Sequence, residues 1–211
     1  MELEDLNSLV HASPVFHQQY LLDRGSLLCK CFDTTLRSAT IDAYGVYEFG
    51  LTKFSDTRSR AKVNQFLQLY QDRRSSTRRS VLTKRLTEDE TVGIVVFLSS
   101  VIKPLVRHYT GWALSNLANE TKGSQCDELL SMTEEMRLIR AFYRFQLCCN
   151  LFGRDSHQLP WLPDMDFKPD DILRIFFCIF EPWEVEEIAC IYTFAKEKYD
   201  QILNDIRWDV H

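Results

Sequence analysis

Apolar residues recur at intervals of three and four along most of the chain, the spacing of one face of an α-helix. Leu3, Leu6, Leu9 and Val10 form the first such stripe. Ser13-Pro14 reads as an N-cap followed by proline at the first helical position, opening a short helix through Val15, Phe16 and Tyr20. Gly25 suits the left-handed position that ends that helix, and Ser26 suits the cap of the next. Across residues 27–49, Leu28, Cys31, Phe32, Leu36, Ala39, Ala43, Val46 and Tyr47 lie on one helical face, with a break expected near Gly45 or Gly50. Residues 60–72 predict another helix through Val63, Phe66, Leu67 and Tyr70. Residues 71–80 carry no apolar side chain and read as a loop.

Two capping boxes punctuate the middle of the chain. Thr87-Glu88-Asp89-Glu90 starts a helix through Val92, Val95, Val96, Ser99 and Ile102, which Pro104 is expected to kink or end. A further helical segment covers 105–117 with Tyr109 and Trp112, and 119–130 reads as loop. Ser131-Met132-Thr133-Glu134 opens the next helix, through Leu138, Ile139, Phe142, Phe145, Leu147 and Cys149 to Gly153. Pro160, Pro163 and Pro169 mark residues 154–169 as a connector. Asp170 then caps a run so apolar, Ile172 to Phe180, that a central buried helix is expected. Glu181-Pro182 opens the last helix, with Val185, Ile188, Ala189, Ile191, Tyr192, Ala195, Tyr199, Ile202 and Leu203 on its apolar face. No internal repeat of 20–50 residues and no heptad run long enough for a free-standing coiled coil is present. The expected fold is all-α: a compact multi-helix domain of about seven to nine helices. Residues 1–25 form an amino-terminal segment packed on a helical domain of residues 26–211.

Composition sharpens this picture. The chain has 211 residues, 45% of them hydrophobic and 26% charged, which excludes a disordered chain. Only 7 glycines and 6 prolines leave too few turns for an all-β fold. No apolar run approaches the roughly 18 residues of a membrane span, so no membrane partner is expected. The acidic start Met-Glu-Leu-Glu-Asp-Leu lacks the basic and apolar regions of a secretion signal, so an intracellular location, cytoplasmic or nuclear, is expected. Seven cysteines, including Cys29-Lys30-Cys31 and Cys148-Cys149, make a poor disulfide framework. Asn119-Glu120-Thr121 fits the glycosylation pattern, which has meaning only in a secreted chain.

Charge is segregated. From residue 53 to 85 there are ten basic and two acidic residues; from 155 to 211 there are thirteen acidic and five basic ones. Solvated faces, attraction between the two segments within the fold, and a partner-binding patch all produce such a pattern. The stretch Arg73-Arg74-Ser75-Ser76-Thr77-Arg78-Arg79, with the basic residues up to Arg85, is the candidate for weak nucleic-acid binding by charge. It has no interleaved aromatic residue, and the rest of the chain is acidic. Arg-Arg-x-Ser also makes Ser76 a candidate phosphosite for basophilic kinases, and phosphate there would cancel much of the local positive field.

Candidate chemistry is sparse. No phosphate loop, nucleophile elbow, His-Glu-x-x-His or Cys-x-x-Cys motif occurs, and no cofactor, metal or catalytic residue is assigned. His11, His17, Cys29 and Cys31 fall close in sequence but match no zinc spacing, and Cys31 lies on an apolar stripe. Cys148, Cys149, Cys178 and Cys190 are expected as inert core thiols, with Arg144 four residues before Cys148 the one hint of activation. Glu184, Glu186 and Glu187 in the first turn or so of the last helix are accounted for by its dipole. The alternative to a non-catalytic chain is an enzyme with a pocket near the 154–169 connector, lined by Trp161, Asp164, Asp166 and Trp183.

Three stretches carry a resemblance: residues 5–24 (Asp-Leu-Asn-Ser-Leu-Val-His-Ala-Ser-Pro-Val-Phe through Leu-Asp-Arg), residues 133–153 (Thr-Glu-Glu-Met-Arg-Leu-Ile-Arg-Ala-Phe onward to Gly) and residues 180–192 (Phe-Glu-Pro-Trp-Glu-Val-Glu-Glu-Ile-Ala-Cys-Ile-Tyr). Together they cover about a quarter of the chain and resemble a large, mostly uncharacterised group of filamentous-fungal F-box-like proteins. In that group the F-box segment docks the adaptor of a cullin-type ubiquitin ligase while the rest of the chain binds a substrate. The Leu-Pro-containing helix that opens an F-box is not among these residues, so either the segment begins upstream of Met1 or the adaptor contact is lost. The resemblance implies a non-catalytic protein-interaction module, an F-box-like adaptor or substrate-recruiting remnant, with another protein as partner. Leu6, Leu9, Val10, Pro14, Val15 and Phe16 are the candidate contact residues; packing onto residues 27–49 is the competing role for the same side chains.

Overall fold

The computed structural model describes residues 1–50, 59–75, 86–121, 130–153 and 167–209, and among these no residue is in a strand. The elements are α1 (Leu3–Ala12), α2 (Pro14–Leu22), α3 (Arg24–Leu36), α4 (Thr40–Gly50), α5 (Arg60–Ser75), α6 (Glu88–Phe97), α7 (Lys103–Thr121), α8 (Met132–Phe152), α9 (Pro169–Ile175) and α10 (Pro182–Asp209). A 3-10 turn joins α3 to α4 and a π turn joins α6 to α7, so these make eight continuous helical stretches, an all-α multi-helix domain as the spacing predicts. No helix of the described residues is long and apolar enough to cross a membrane.

Both capping boxes form as the sequence predicts. The Thr87 hydroxyl accepts from the Glu90 amide at 3.3 Å while the Glu90 carboxylate accepts from the Thr87 amide at 2.8 Å. Ser131 and Glu134 repeat the exchange at 3.3 and 2.8 Å. Each satisfies two amides that the first helical turn leaves without partners. Helix α8 is the centre of the fold. It packs on α4 along one side and on α10 along another, and its Ile139, Phe142, Tyr143, Leu147 and Leu151 are buried. Phe32, Leu36, Val46 and Phe49 of α3 and α4, Val63, Phe66 and Tyr70 of α5, Ile94, Leu98, Ile102 and Val106 of the α6–α7 stretch, and Ile188, Ile191 and Phe194 of α10 complete one core. The first helix rests on a separate small cluster of Leu6, Leu28 and Cys31, flanked by Leu3, Val10, Tyr20 and Val92.

Several boundaries differ from the expected ones, each for a local reason. Gly25 ends no helix: α3 already starts at Arg24, and no described glycine has positive φ. The break in residues 27–49 falls at Arg37–Ala39, where Arg37 takes φ 45°. There Thr40 donates its hydroxyl to the Arg37 carbonyl at 3.0 Å, so a side chain replaces a ladder bond. Residues 71–75 are helical, because Arg73 and Arg74 are tied down by carboxylates on neighbouring helices; the remainder of the expected 71–80 loop lies outside the described residues. Helix α7 likewise runs on to Thr121, taking Asn119 and Glu120 with it. Pro104 does not stop its helix. The π turn Leu98–Ile102 lies immediately before it, and such a widened turn accommodates a residue that lacks an amide proton and crowds the carbonyl four back.

The apolar run after Pro169 is not a central helix. It is a short helix capped at Lys168 rather than Asp170, followed by the 3-10 turn Phe177–Ile179. Only Phe176 and Phe180 are buried there, while Leu173 and Cys178 are exposed. The last helix buries Ile188, Ile191 and Phe194; Ala189 and Tyr192 of the expected face are exposed because the buried stripe runs through Phe194 instead, and Tyr199, Ile202 and Leu203 are exposed because the helix outruns those it packs on.

Two glycines within helices test the packing in opposite directions. A Cβ at Gly93 would sit 2.5 Å from the Tyr47 ring of α4, whereas nothing lies within 4 Å of one at Gly111. Gly111→Ala is expected to raise stability by about 0.5–1 kcal/mol through reduced chain entropy. Gly93→Ala is expected to lower it by about 1–3 kcal/mol, since Tyr47 must be displaced. Urea unfolding of the two variants beside the parent chain measures both signs.

Candidate functional site

Strongly perturbed ionisable groups are the usual physical mark of a working site. They concentrate here where α4, α5, α8 and α10 meet. Asp42, Arg144 and Glu184 are 2, 3 and 6% exposed. Arg144 Nε lies 3.5 Å from each Asp42 carboxylate oxygen, and its Nη2 lies 2.7 Å from Glu184 Oε1. Arg74 reaches the other Glu184 oxygen at 2.7 Å, and the Glu181 amide donates to that same oxygen at 3.1 Å. The buried Tyr70 hydroxyl donates to Asp42. Phe180 lies under both guanidinium groups, 4.5 Å from Arg74 and 5.0 Å from Arg144.

Two carboxylates and two guanidinium groups make this cluster formally neutral. Burial works against a charge on Glu184, but the hydrogen bond from Arg74 and the charge of Arg144 outweigh it, so its carboxyl titrates below the ordinary value. Burial also opposes the charge on Arg144, and Asp42, Tyr70 and Glu184 overcome it. Burial, then the Asp42 charge, pushes the Tyr70 phenol far up. Glu184 is thereby held as a carboxylate, Arg144 as a cation and the Tyr70 phenol in its protonated form. The cluster ties four helices together. Glu184, expected as a dipole-stabilised surface carboxylate, is instead the bridge of this cluster, and Arg144 is committed to carboxylates rather than to Cys148. The Cys148 thiol is pushed up to about 12, chiefly by burial, the opposite of activation.

The oppositely charged segments do attract within the fold. Arg60 pairs with Asp171 at 3.0 Å and Arg74 with Glu184 at 2.7 Å, each joining the basic segment to the acidic one. Arg73 pairs with Glu48 at 3.3 Å and lies over the Tyr44 ring. Two of the arginines in the candidate nucleic-acid stretch are thus engaged by the protein itself; Ser76 and the basic residues from Arg78 to Arg85 lie outside the described residues. So do Trp161, Asp164 and Asp166. Of the proposed enzyme pocket only Trp183 is placed. It is exposed beside a cleft of about 370 Å³, where Arg137 and Glu187 close on each other at 2.7 Å.

The cysteines divide. Cys31 is buried beside Leu6 and Leu28, and Cys29 lies 3.3 Å from the Thr91 hydroxyl. Cys149, Cys178 and Cys190 are exposed, correcting their expected place in the core: Cys178 falls in the 3-10 turn rather than in a buried helix, and Cys190 lines the cleft beside Trp183. His11 and His17 both line the cavity under α1 and α2, while the two cysteines face other partners. Among the described residues no three histidine, cysteine or acidic side chains gather at one point.

The candidate contact residues of α1 and α2 separate into two layers. Leu6 is buried and Val10 half-buried; both line a cavity of about 760 Å³ with Leu3, Tyr20, Leu28, Val95 and Leu98. Lys103, Arg107, His11 and His17 stand around it, with Glu4 paired to Lys103. Leu9, Pro14, Val15 and Phe16 face solvent instead. Ser13 caps α2 by accepting from the Val15 amide at 3.2 Å, and Pro14 follows as the sequence predicts. Yet α2 buries no residue at all: Val15 is 70% and Leu22 81% exposed, and Phe16 and Leu21 are exposed too. Comparisons with protein-family models, curated proteins and solved structures give no match, so the functional reading stands on these residues alone.

The charge cluster yields a pH-dependent stability. The folded Glu184 carboxyl lies below its ordinary 4.5, so as the pH falls the unfolded chain takes up the proton first. Its contribution is complete above that ordinary value and is lost as the pH drops through the folded one. Glu184→Gln leaves Arg144 buried with a weaker partner and is expected to cost about 3–5 kcal/mol at neutral pH. Denaturant midpoints measured from pH 7 down to pH 3 are expected to fall less steeply in this variant than in the parent.

Proposed function

We propose that the chain is a non-catalytic protein-interaction module that docks its partner on the α1–α2 face. What supports this reading is one observation: α2 is a nine-residue helix with no buried residue, four of whose large apolar side chains are exposed. Single exposed apolar residues are ordinary. Four on one short helix are not: Val15 and Leu22 fall on one side of α2, with Phe16 and Leu21 to either side of them, and such a concentration of exposed apolar residues is of the kind that marks association. A helix of that length has little stability of its own in water, so a partner that covers it adds to what Ser13 and Pro14 provide.

The partner the surface suits is another helix with an apolar face and acidic flanks. Its apolar side chains meet Val15, Phe16 and Leu22, and its acidic ones face Lys103 and Arg107 by the neighbouring cavity. The F-box-like resemblance of residues 5–24 nominates the adaptor of a cullin-type ubiquitin ligase for this role, with the larger core free to present a substrate surface.

The test is binary. Purified adaptor is titrated against the chain by calorimetry, alongside a Val15→Asp, Phe16→Asp double variant. Both positions are exposed, so circular dichroism of the variant is expected to match the parent. Saturable binding that the double variant weakens at least about 10-fold is the expected outcome, as for truncation of central apolar contacts. An adaptor that fails to bind the parent removes the ligase assignment; one that binds both forms equally moves the docking face elsewhere.

A further inference from the structure

Among the described residues the end of α10 carries a second unpartnered face, and its charge pattern bears on what covers it. The helix has 28 residues, about 42 Å at 1.5 Å per residue. Its first half is anchored through Ile188, Ile191 and Phe194, and Trp112 donates its indole proton to Glu197 at 2.9 Å. Beyond that, every residue from Tyr199 to Arg207 is exposed. Tyr192, Ala195, Tyr199, Ile202 and Ile206 follow spacings of three, four, three and four, the alternation of an a/d coiled-coil seam. Tyr199 is 69% exposed, and Ile202 and Ile206 are more than half exposed.

We propose that this seam pairs with the same seam of a second copy of the chain, antiparallel, about a two-fold axis near residues 200–201. In that register Tyr199 packs on Ile202 of the other copy, and the small Ala195 packs on Ile206. Lys198 and Asp205 occupy the two flanking g positions, and antiparallel pairing brings each Lys198 to the other copy's Asp205, twice by symmetry. Parallel pairing sets Lys198 beside Leu203 and forms neither ion pair. On the other flank the Lys196 stem covers the exposed Leu203. Two heptads are short for a free-standing coiled coil, but here the helix is already ordered by its anchored half. Association therefore does not bear the cost of helix formation. The small contact makes this a monomer–dimer equilibrium rather than an obligate dimer.

Sedimentation equilibrium of the full chain, loaded up to about 1 mM so that a contact of millimolar Kd still populates dimer, reads the outcome. The parent is expected to dimerise. Ile202→Asp, at an exposed position, is expected to weaken the dimer about 10-fold or more. Lys198→Asp is expected to weaken it as well, and Lys198→Asp with Asp205→Lys to restore the parent value within about three-fold, because the swapped charges meet again only across the antiparallel pair. A parent chain that stays monomeric over this range overturns the proposal. So does a dimer indifferent to Ile202→Asp, or one that the double charge swap fails to restore.

Discussion

Arg144 is a permanent cation inside an apolar helix interface, and such a group is tolerated only where carboxylates come to it. Asp42 approaches from α4 and Glu184 from α10, so the two helices that flank α8 are both pinned to one side chain. Glu184 in turn has an oxygen left over for Arg74, which brings in α5. Tyr70, bonded to Asp42, closes the circuit from that same helix. The apolar core would hold these helices together in many registers, since burial is not directional. The charges select one register, because a slip of a single turn moves a carboxylate by about 5.4 Å and leaves an arginine buried alone. The selection has a cost: one Nη1 on each arginine is buried without a hydrogen-bond partner among the described residues. The cluster is better understood as a device for specifying geometry than as a source of net stability.

How much of this was legible in the sequence depends on range. Signals that act over three or four residues were readable: the Thr87 and Ser131 capping boxes, the Ser13-Pro14 start, the proline opening of α10. Each is a local competition for backbone hydrogen bonds, and the competitors are neighbours. The role of Glu184 was not readable, because its partners lie 40 and 110 residues upstream while a nearby helix dipole offered a sufficient local account. A signal did exist. Arg144 interrupts the run Phe-Tyr-Arg-Phe on the face of α8 that carries Leu147 and Leu151, and Asp42 stands between Ile41 and Ala43. A charge set inside a stripe predicted to be buried demands a counter-charge, and looking for one would have led to this pair. Arg37 gave less warning, since nothing about arginine favours a positive φ; the break lies where α3, packed on α6, gives way to α4, packed on α8, with Thr40 satisfying the carbonyl.

Apolarity was also misjudged by summing it. The run from Ile172 to Phe180 contains more apolar side chains than its position can bury fully: Phe176 and Phe180 are buried, while Ile172, Ile175, Phe177 and Ile179 pack against the core only in part. The α10 stripe fails for a different reason. Its face was drawn too wide at Ala189 and Tyr192 and missed Phe194, and periodicity says nothing about how far a neighbour extends. The candidate residues of α1 and α2 were likewise legible as apolar but not as two layers, because whether Leu6 points into a cavity and Phe16 away from it depends on where α3 and the α6–α7 stretch stand.

The two exposed faces differ in what supports them, and this bears on how each can act. The α1–α2 pair rests on the small Leu6–Leu28–Cys31 cluster and a few surface ties, such as Glu4 to Lys103 and the Leu3 amide to Thr35. An exposed ion pair of the Glu4–Lys103 kind contributes little by itself, so the α1–α2 pair is held chiefly by the small cluster. The free end of α10 is continuous with a helix locked by Glu184, Ile188, Ile191 and Phe194, and any bend there would have to break helical hydrogen bonds. It therefore presents its side chains in a fixed register, which is the condition under which charge pattern alone can choose between parallel and antiparallel contact. The two proposed contacts, one lightly held and one register-specific, would thus follow from where the core stops, not from any difference in the composition of the two faces.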